Sequence, residues 1–407
     1  MSSDPKIHEI TLTTLTYGGE AIGRLPDGRA VFVPFALPGD VAKIRLVEER
    51  KNFARAELLE VLRPSPDRIQ PRCQHFFSLT PIPSPLGRGD GVRAACGGCH
   101  YQNLPYPRQL EAKRAILRDQ LTRIGKIENP PVGEMVPAPD EWHYRNHIQF
   151  HLDKTGRLGF IAALASAASP NRDENPSPSA VLPIMECFLP QANLNALWPQ
   201  LQFEAESPVQ RVSLRAGLDD DLLLVLESDW PETPEMEIEA DISVVHLMED
   251  DAVVIAGNDH LLIQVDVDGN PPLQRAFKVS AASFFQVNTA MAGKMAAHLL
   301  AELPVSPSTT LLDVYCGVGL FSAFFAPRVR RVTGIEVAPS ACEDFTVNLD
   351  EFDNVELYEA PAEDVLPALN EKPDVVIVDP PRAGLDKKVL DAILALRPAA
   401  LAYVSCD

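Results

Sequence analysis

The first part of the chain alternates apolar and polar positions over runs of strand length. Residues 7–63 contain the runs "IHEITLTTLTY", "AVFVPF", "VAKIRLVEE" and "FARAELLEVL", which are separated by turns that contain glycine and proline. Alternation with a period of two is typical of strands that bury one face. The pattern therefore predicts a small antiparallel barrel of about five strands, which ends at the linker "LRPSPDRIQP".

The pattern changes twice more along the chain. Between residues 208 and 268, strand-like runs such as "DLLLVLES" and "HLLIQVDVD" predict further antiparallel sheet. After residue 280, helical and buried-strand patterns alternate, as in "MAGKMAAHLLAEL", "TTLLDVY" and "PDVVIVDPP". Strands that alternate with helices indicate a parallel α/β sheet.

The expected fold class is therefore a multidomain α/β protein. We expect an OB-like barrel in residues 1–65, a central antiparallel β domain in residues 66–270 and a Rossmann-like domain in residues 271–407. Two stretches rich in Pro, Ser and Gly, residues 78–94 and 165–180, have the composition of flexible insertions.

Charge is distributed unevenly along the chain. The net charge of −21 argues against a nucleic-acid partner, but the stretch Arg68–Lys126 is net basic, whereas Gly217–Asp268 contains no Lys or Arg. The basic stretch is either a solvated helix face or a contact for RNA. No segment reaches the roughly 18 apolar residues that span a membrane, and the polar start does not resemble a signal peptide. A cytoplasmic location with reduced thiols is expected, in which seven cysteines indicate metal binding or catalysis rather than disulfides.

A strand, a glycine turn and an acidic residue occur in the order of a nucleoside-binding site. The run "LLDVYCGVGLFS" leads from a strand into Gly317 and Gly319, and Glu336 ends the next strand, "VTGIE". Such a turn lets the backbone approach a ligand, and the acid can bind ribose hydroxyls. No third glycine follows at the dinucleotide spacing, which disfavours NAD and suits S-adenosyl-L-methionine. Asp379, in "VVIVDPPRAGL", belongs at the carboxyl end of another buried strand, where ligands bind in open α/β sheets. A structural turn with a solvent-facing Glu and a structural Asp are the alternatives.

Cysteines in the central region form a second constellation. "ACGGCHYQ" supplies a C-x2-C pair, and one cysteine precedes it and another follows it, so that the set is Cys73, Cys96, Cys99 and Cys187. Four cysteines can bind zinc or an iron–sulfur cluster, and inert buried thiols are the alternative. The C-x3-C-x2-C spacing of radical S-adenosylmethionine enzymes is absent. Cys316 and Cys342 are interpreted as packing thiols.

Motifs along nearly the whole chain resemble those of the TRAM-containing RNA uracil-C5 methyltransferases. The segments "ACGGCHYQ", "YRNHIQFH", "SFFQVN", "LLDVYCGVGLFS", "VDPPRAGL" and "YVSCD" follow the order of that family, and the N-terminal barrel resembles a TRAM domain. The resemblance implies that Cys406 is the nucleophile and that the four central cysteines carry a [4Fe–4S] cluster. It implies that S-adenosylmethionine is bound by Gln286, Tyr315, Gly317, Glu336 and Asp379.

The resemblance also implies an RNA substrate, with 23S ribosomal RNA preferred over transfer RNA, and a monomer that binds no membrane. Two departures from the family pattern occur. The first two cysteines of the cluster motif are unusually far apart, and the sequence stops at Asp407, whereas the family continues with Pro, further strands and a Glu that acts as base. On this comparison we expect a truncated methyltransferase sheet that lacks its general base and stalls after attack on the RNA.

Cys406 would solve a chemical problem, because uracil C5 is a poor nucleophile. Addition of a thiolate to C6 creates an enolate, and C5 can then accept a methyl group. Two other classes of function remain open. An amino-group methyltransferase would use the "DPPR" loop and need no cysteine. A non-catalytic RNA-binding iron–sulfur protein would bind no S-adenosylmethionine.

Overall fold

The computed structural model describes residues 6–77, 95–163, 181–233, 236–237, 239–249, 251–269, 271–369 and 372–405. The chain forms two compact units, each built from several segments. Unit 1 comprises Met1–Glu141, Phe150–Phe188 and Phe203–Glu206, and unit 2 comprises Trp142–Gln149, Leu189–Gln202 and Ser207–Asp407. The two predicted insertions, residues 78–94 and 165–180, lie outside the described residues, as does Cys406.

Unit 1 begins with the predicted barrel. Its strands are β1 (Ile7–Leu15), β2 (Ala21–Arg24), β3 (Ala30–Val33), β4 (Val41–Glu49) and β5 (Phe53–Arg63). They close in the order β1–β2–β3–β5–β4, which confirms a five-stranded barrel. The expectation of a wholly antiparallel barrel was wrong, because β3 and β5 pair in parallel. The chain reverses twice, through β4, between these two strands, so β5 runs in the direction of β3.

The cysteine region packs against this barrel. Phe35 of the barrel stacks on Phe77 with ring centroids 4.9 Å apart and meets Phe76 edge-on at 5.2 Å. Asp40, which is fully buried, accepts hydrogen bonds from the backbone N–H groups of Leu37 and Ser65, both at 2.7 Å. Buried carboxylates require such partners, so these bonds fix the entry to the linker. The helix α1 (Tyr106–Arg123) follows.

The middle of the chain is largely strand. It contains β6 (His147–Leu152), β7 (Leu158–Ile161), β8 (Val181–Pro183), the short helix α2 (Ala192–Leu197), β9 (Arg211–Ala216), β10 (Leu222–Glu227), β11 (Ser243–Leu247), β12 (Ala252–Ala256), β13 (His260–Val267) and β14 (Leu273–Ser280). In unit 2 the sheet order is β12–β11–β10–β9, and β13 and β14 form a separate antiparallel pair. The prediction of antiparallel pairing was wrong for β10 and β11, which are parallel. The connection between them returns the chain to the same end of the sheet.

The last part of unit 2 is the predicted α/β domain. Its elements are α3 (Thr289–Glu302), β15 (Thr310–Val314), α4 (Leu320–Phe325), β16 (Arg331–Glu336), α5 (Pro339–Asn348), β17 (Val355–Glu359), α6 (Ala362–Val365), β18 (Val375–Val378), α7 (Lys387–Leu396) and β19 (Ala400–Tyr403). The strand order is β17–β16–β15–β18–β19, and every pair is parallel.

Helices cover both faces of this sheet. Along β15, Leu311 packs in the core shared with α3, α4 and α5, whereas Leu312 and Val314 pack in the core shared with α6 and α7. Burial on both faces explains why the central strands β15 and β18 are largely apolar. Because these strands are parallel, the carboxyl ends of β15, β16 and β18 meet at one edge of the sheet.

Among the described residues, no helix is long and apolar enough to cross a membrane.

Candidate active site

The turn after β15 has an unusual backbone. Tyr315, Gly317 and Gly319 all have positive φ, at 63°, 53° and 90°. A Cβ atom at Gly319 would clash with the side chains of Leu349 and Phe345, so this glycine allows close helix packing. A Cβ atom at Gly317 would meet nothing within 4 Å. Tyr315 adopts the left-handed region at a cost of roughly 1–3 kcal/mol, and such strain clusters at binding sites.

Glu336 organises this turn. One carboxylate oxygen accepts a hydrogen bond from the backbone N–H of Gly317 at 2.9 Å. The other accepts from Val337 at 2.8 Å and from Ala338 at 2.9 Å. The carboxylate thus joins the end of β16 to the glycine turn. It lies where the sequence predicts an acidic residue that binds ribose hydroxyls.

Two aspartates lie beside Glu336. Asp313 of β15 is fully buried, and its Oδ2 accepts hydrogen bonds from the hydroxyl of Ser322 at 2.7 Å and its backbone N–H at 3.2 Å. Its Oδ1 is buried without a partner among the described residues. Burial, reinforced by the charges of Asp379 and Glu336, raises the pKa of the Asp313 carboxyl to about 7. Burial raises the pKa of Asp379, directly after β18, to about 6.

Sequence reasoning missed Asp313. The sequence signal for this residue was its position as a single carboxyl in the otherwise apolar run "LLDV". A strand that is buried on both faces rarely contains an Asp. The surroundings of Tyr315 are also negative, because its pKa is raised by burial and then by the nearby charges of Glu363 and Asp386. The crevice is therefore lined by carboxylates from several loops.

This acidic crevice fits a cation better than a polyanion. Carboxylates close together in a partly buried crevice attract positive charge and repel phosphate. S-adenosylmethionine carries a positive sulfonium and an ammonium group, whereas a dinucleotide carries a pyrophosphate. The residues present, including the unpartnered Oδ1 of Asp313, therefore fit S-adenosylmethionine and do not fit NAD.

The segment 281–288 connects β14 to α3 and carries Gln286. The backbone carbonyl of Gln286 accepts a hydrogen bond from the Asn146 side-chain amide at 3.2 Å, and that of Val287 accepts from the Asn146 N–H at 2.9 Å. Phe284 of the same segment is 72% exposed. Sequence reasoning did not single out Phe284, although it lies inside "SFFQVN".

The four predicted cluster cysteines all belong to unit 1. Burial, and then the charges of Cys99, Cys187 and Cys73, raise the pKa of the Cys96 thiol to about 12. The Sγ atom of Cys96 accepts a hydrogen bond from the Gly98 N–H at 3.3 Å. The fold thus brings the four thiols into electrostatic range of one another. In the described part of the chain, however, no three His, Cys, Asp or Glu side chains form a group that could hold a metal ion.

The remaining cysteines and the basic stretch have structural explanations. Cys316 and Cys342 are buried, as expected of packing thiols. Three arginines of α1 already have carboxylate partners: Arg108 pairs with Asp67 and Glu111, Arg114 with Glu134, and Arg123 with Asp119. These contacts favour a solvated helix face for this part of the basic stretch.

Fold and site together define the class of the protein. A parallel sheet with the order β17–β16–β15–β18–β19, an open glycine turn after β15 and a carboxylate after β16 are the features of an S-adenosylmethionine-dependent methyltransferase. A family model described as tRNA (Uracil-5-)-methyltransferase matches residues 236–407, and a TRAM domain model matches residues 6–59.

Relatives identify the family. An uncharacterized RNA methyltransferase of Synechocystis sp. is 30% identical over 98% of this chain and 86% of the relative. Another, of Thermosynechococcus vestitus, is 30% identical over 98% of this chain and 88% of the relative. The chain belongs to this family of RNA methyltransferases, with a TRAM domain and a uracil-5-methyltransferase-like domain.

The fold also resembles a solved structure. The tRNA (uracil-54, C5)-methyltransferase of Pyrococcus abyssi, determined in complex with S-adenosyl-L-homocysteine, is 22% identical. The match covers 98% of this chain and 90% of that chain, with a TM-score of 0.66. It confirms the predicted combination of an N-terminal barrel and a C-terminal methyltransferase domain.

Proposed function

We propose that the protein methylates uracil C5 in RNA with S-adenosylmethionine and that Cys406 is the nucleophile. The observation that carries this proposal is the acidic crevice around Glu336, Asp313 and Asp379, beside the carboxyl ends of β15, β16 and β18. Cys406 follows β19 in the sequence, and β19 is adjacent to β18 in the sheet order. Its atoms lie outside the described residues, so its role rests on the "YVSCD" motif.

The proposed reaction divides the methylation into steps in which Cys406 acts twice. Its thiolate forms a bond to C6, and the electron pair of the C5–C6 double bond becomes an enolate. The bound cofactor supplies an electrophilic methyl group to C5. After a base removes the C5 proton, the electron pair restores the C5–C6 double bond and the thiolate of Cys406 leaves. Glu336 and Gly317 would bind the nucleoside part of the cofactor, and Asp313 and Asp379 would face its positive charge.

The proposed substrate is large-subunit ribosomal RNA. The TRAM domain supports an RNA substrate, and the combination of this domain with four cysteines supports the ribosomal class by resemblance. Transfer RNA is the second candidate, because the matching family model is described by that substrate. The target base must leave its stack to react with an active-site nucleophile.

Methylation of defined RNAs tests the proposal. The chain is incubated with labelled S-adenosylmethionine and either 23S ribosomal RNA transcripts or transfer RNA transcripts, and the nucleosides are analysed by mass spectrometry. We expect 5-methyluridine, or methyl label in a covalent RNA–protein adduct, with the ribosomal transcripts. Methyl groups on exocyclic amines would instead identify an amino-group methyltransferase. No binding of S-adenosylmethionine in calorimetry would identify a non-catalytic protein.

We also propose that the four cysteines of unit 1 carry a [4Fe–4S] cluster. The proximity of Cys96 to the other three thiols supports this proposal, because their charges are among the causes that raise its pKa. A metal group would have to displace the protons of these thiols on binding. The turn between Cys96 and Cys99 is tightly packed, since a Cβ atom at Gly97 would lie 2.7 Å from the carbonyl oxygen of Ile161. Metal binding would have to draw the thiols closer together than they are in this structure.

Anaerobic purification tests the cluster. We expect brown protein with about four irons per chain, and loss of iron in the variant Cys96→Ser, because that thiol is a ligand. Cys342→Ser provides a matched control, since this buried thiol lies in unit 2 and should not affect iron content. Colourless protein with stoichiometric zinc would contradict the proposal.

A further inference from the structure

The start of the segment 281–288 is fixed by buried charged side chains that do not belong to the cofactor crevice. Its two consecutive phenylalanines point in opposite directions: Phe285 is 7% exposed and packs 5.7 Å from Phe277, whereas Phe284 is 72% exposed. Unstacked RNA bases stack on aromatic side chains of this kind. Two sets of contacts elsewhere in unit 2 fix the backbone of the segment.

One of these contacts is made by Arg215 of β9. Its Nη1 atom donates hydrogen bonds to the backbone carbonyls of Ser280, at 3.0 Å, and of Ser283, at 2.8 Å. Burial lowers the pKa of Arg215 to about 10, although the charges of Glu227 and Asp344 oppose this shift. The guanidinium is therefore still protonated at neutral pH and donates charge-assisted hydrogen bonds.

The other contact is made by Asp344 of α5. This carboxylate is fully buried and accepts hydrogen bonds from the backbone N–H of Ser280 at 2.8 Å, from its hydroxyl at 2.7 Å and from the hydroxyl of Ser283 at 2.6 Å. Lys278 forms an ion pair with it at 3.1 Å. A cation and an anion from different elements thus hold the same two serines.

The helix that carries Asp344 also contacts the candidate cofactor site. Glu336 accepts hydrogen bonds from Val337 and Ala338, immediately before α5. Ser340 of α5 lies 2.8 Å from Ser283, hydroxyl to hydroxyl. The position of α5 therefore links the carboxylate of the cofactor crevice to the start of the segment 281–288.

We infer that Arg215 and Asp344 are positioning residues that hold Ser280 and Ser283, and thereby present the exposed ring of Phe284 to the RNA. We call these five hydrogen bonds with the two serines the serine clamp. This inference rests on the proposed function. The clamp raises the rate because a preformed segment does not have to be ordered when RNA binds, and a displacement of about 1 Å can cost about 100-fold in rate.

Replacement of Arg215 by methionine tests the clamp. We expect kcat on RNA to fall about 100-fold, while the affinity for S-adenosylhomocysteine in calorimetry changes less than about 3-fold. Arg215→Lys keeps the charge but not the several donors of a guanidinium, so it should restore part of the rate. Arg211→Met is the matched control, because Arg211 lies on the same strand and pairs with Glu227 at the surface, where an ion pair contributes little.

Hydrogen exchange gives a second measurement that does not require catalysis. Arg215→Met and Asp344→Asn should both increase amide exchange in residues 280–288, and Arg211→Met should not. Unchanged exchange and unchanged kcat in Arg215→Met would overturn the inference. Equal losses of RNA methylation, cofactor affinity and global stability would also overturn it, because they indicate a merely structural role. If the parent chain forms neither 5-methyluridine nor a methyl-labelled adduct on any RNA, the proposed function fails, and exchange alone decides whether the clamp exists.

Discussion

Cys406→Ala is expected to abolish methyl transfer to RNA while leaving cofactor binding intact. Without the thiolate, no covalent bond to uracil C6 forms and C5 does not become nucleophilic. Loss of a covalent nucleophile typically costs roughly 1000-fold or more in rate. The cofactor crevice is formed by Glu336, Asp313 and Asp379, so its affinity should change less than about 2-fold. Single-turnover assays with labelled S-adenosylmethionine measure the rate, and a denaturing gel detects the RNA–protein adduct.

Cys342→Ala is the matched control for this experiment. Cys342 is buried on α5, and burial raises the pKa of its thiol to about 11, so it is protonated at neutral pH. A neutral, buried thiol is not a nucleophile, and we expect this variant to keep the methylation rate and the adduct. Methylation by Cys406→Ala at the parental rate would refute the covalent mechanism and favour an amino-group methyltransferase.

Glu336→Ala is expected to weaken binding of S-adenosylhomocysteine roughly 100-fold, because a charged hydrogen-bond acceptor is lost from a partly buried site. The carboxylate also holds three backbone N–H groups, those of Gly317, Val337 and Ala338. Their release would loosen the glycine turn. Glu336→Gln should restore little, because its amide presents N–H donors to a site that consists of donors. Isothermal calorimetry measures both affinities.

Glu359→Ala offers a control in the same sheet. Glu359 ends the neighbouring strand β17 and is the register partner of Glu336, but its side chain is exposed. Its removal should leave cofactor affinity unchanged. Asp379→Ala should weaken binding, as expected for a carboxylate in the crevice. Equal affinities in Glu336→Ala and Glu359→Ala would show that the carboxylate after β16 is not a cofactor ligand.

Local motifs predicted much of the candidate site. Gly317, Glu336 and Asp379 were recognised because each lies at or after the end of a predicted strand, and the carboxyl ends of parallel strands meet at one edge. Asp313 was not recognised, although it is a single carboxyl in the apolar run "LLDV", because the sequence does not show that its side chain is buried beside the carboxylates of other strands. Its raised pKa depends on burial by α4 and on the charges of two residues that follow other strands.

The sequence by itself determined the barrel, the parallel α/β sheet and the order of the site motifs, since hydrophobic periodicity and turn residues are properties of neighbouring positions. Only the tertiary structure decided the parallel pairing of β3 with β5 and of β10 with β11, because strand direction depends on the path of the chain between them. The serine clamp was likewise decided by the fold. Arg215 and Asp344 are 65 and 64 residues away from Ser280 in the sequence. Because the fold buries both charged groups away from water, they form hydrogen bonds with the two serines instead.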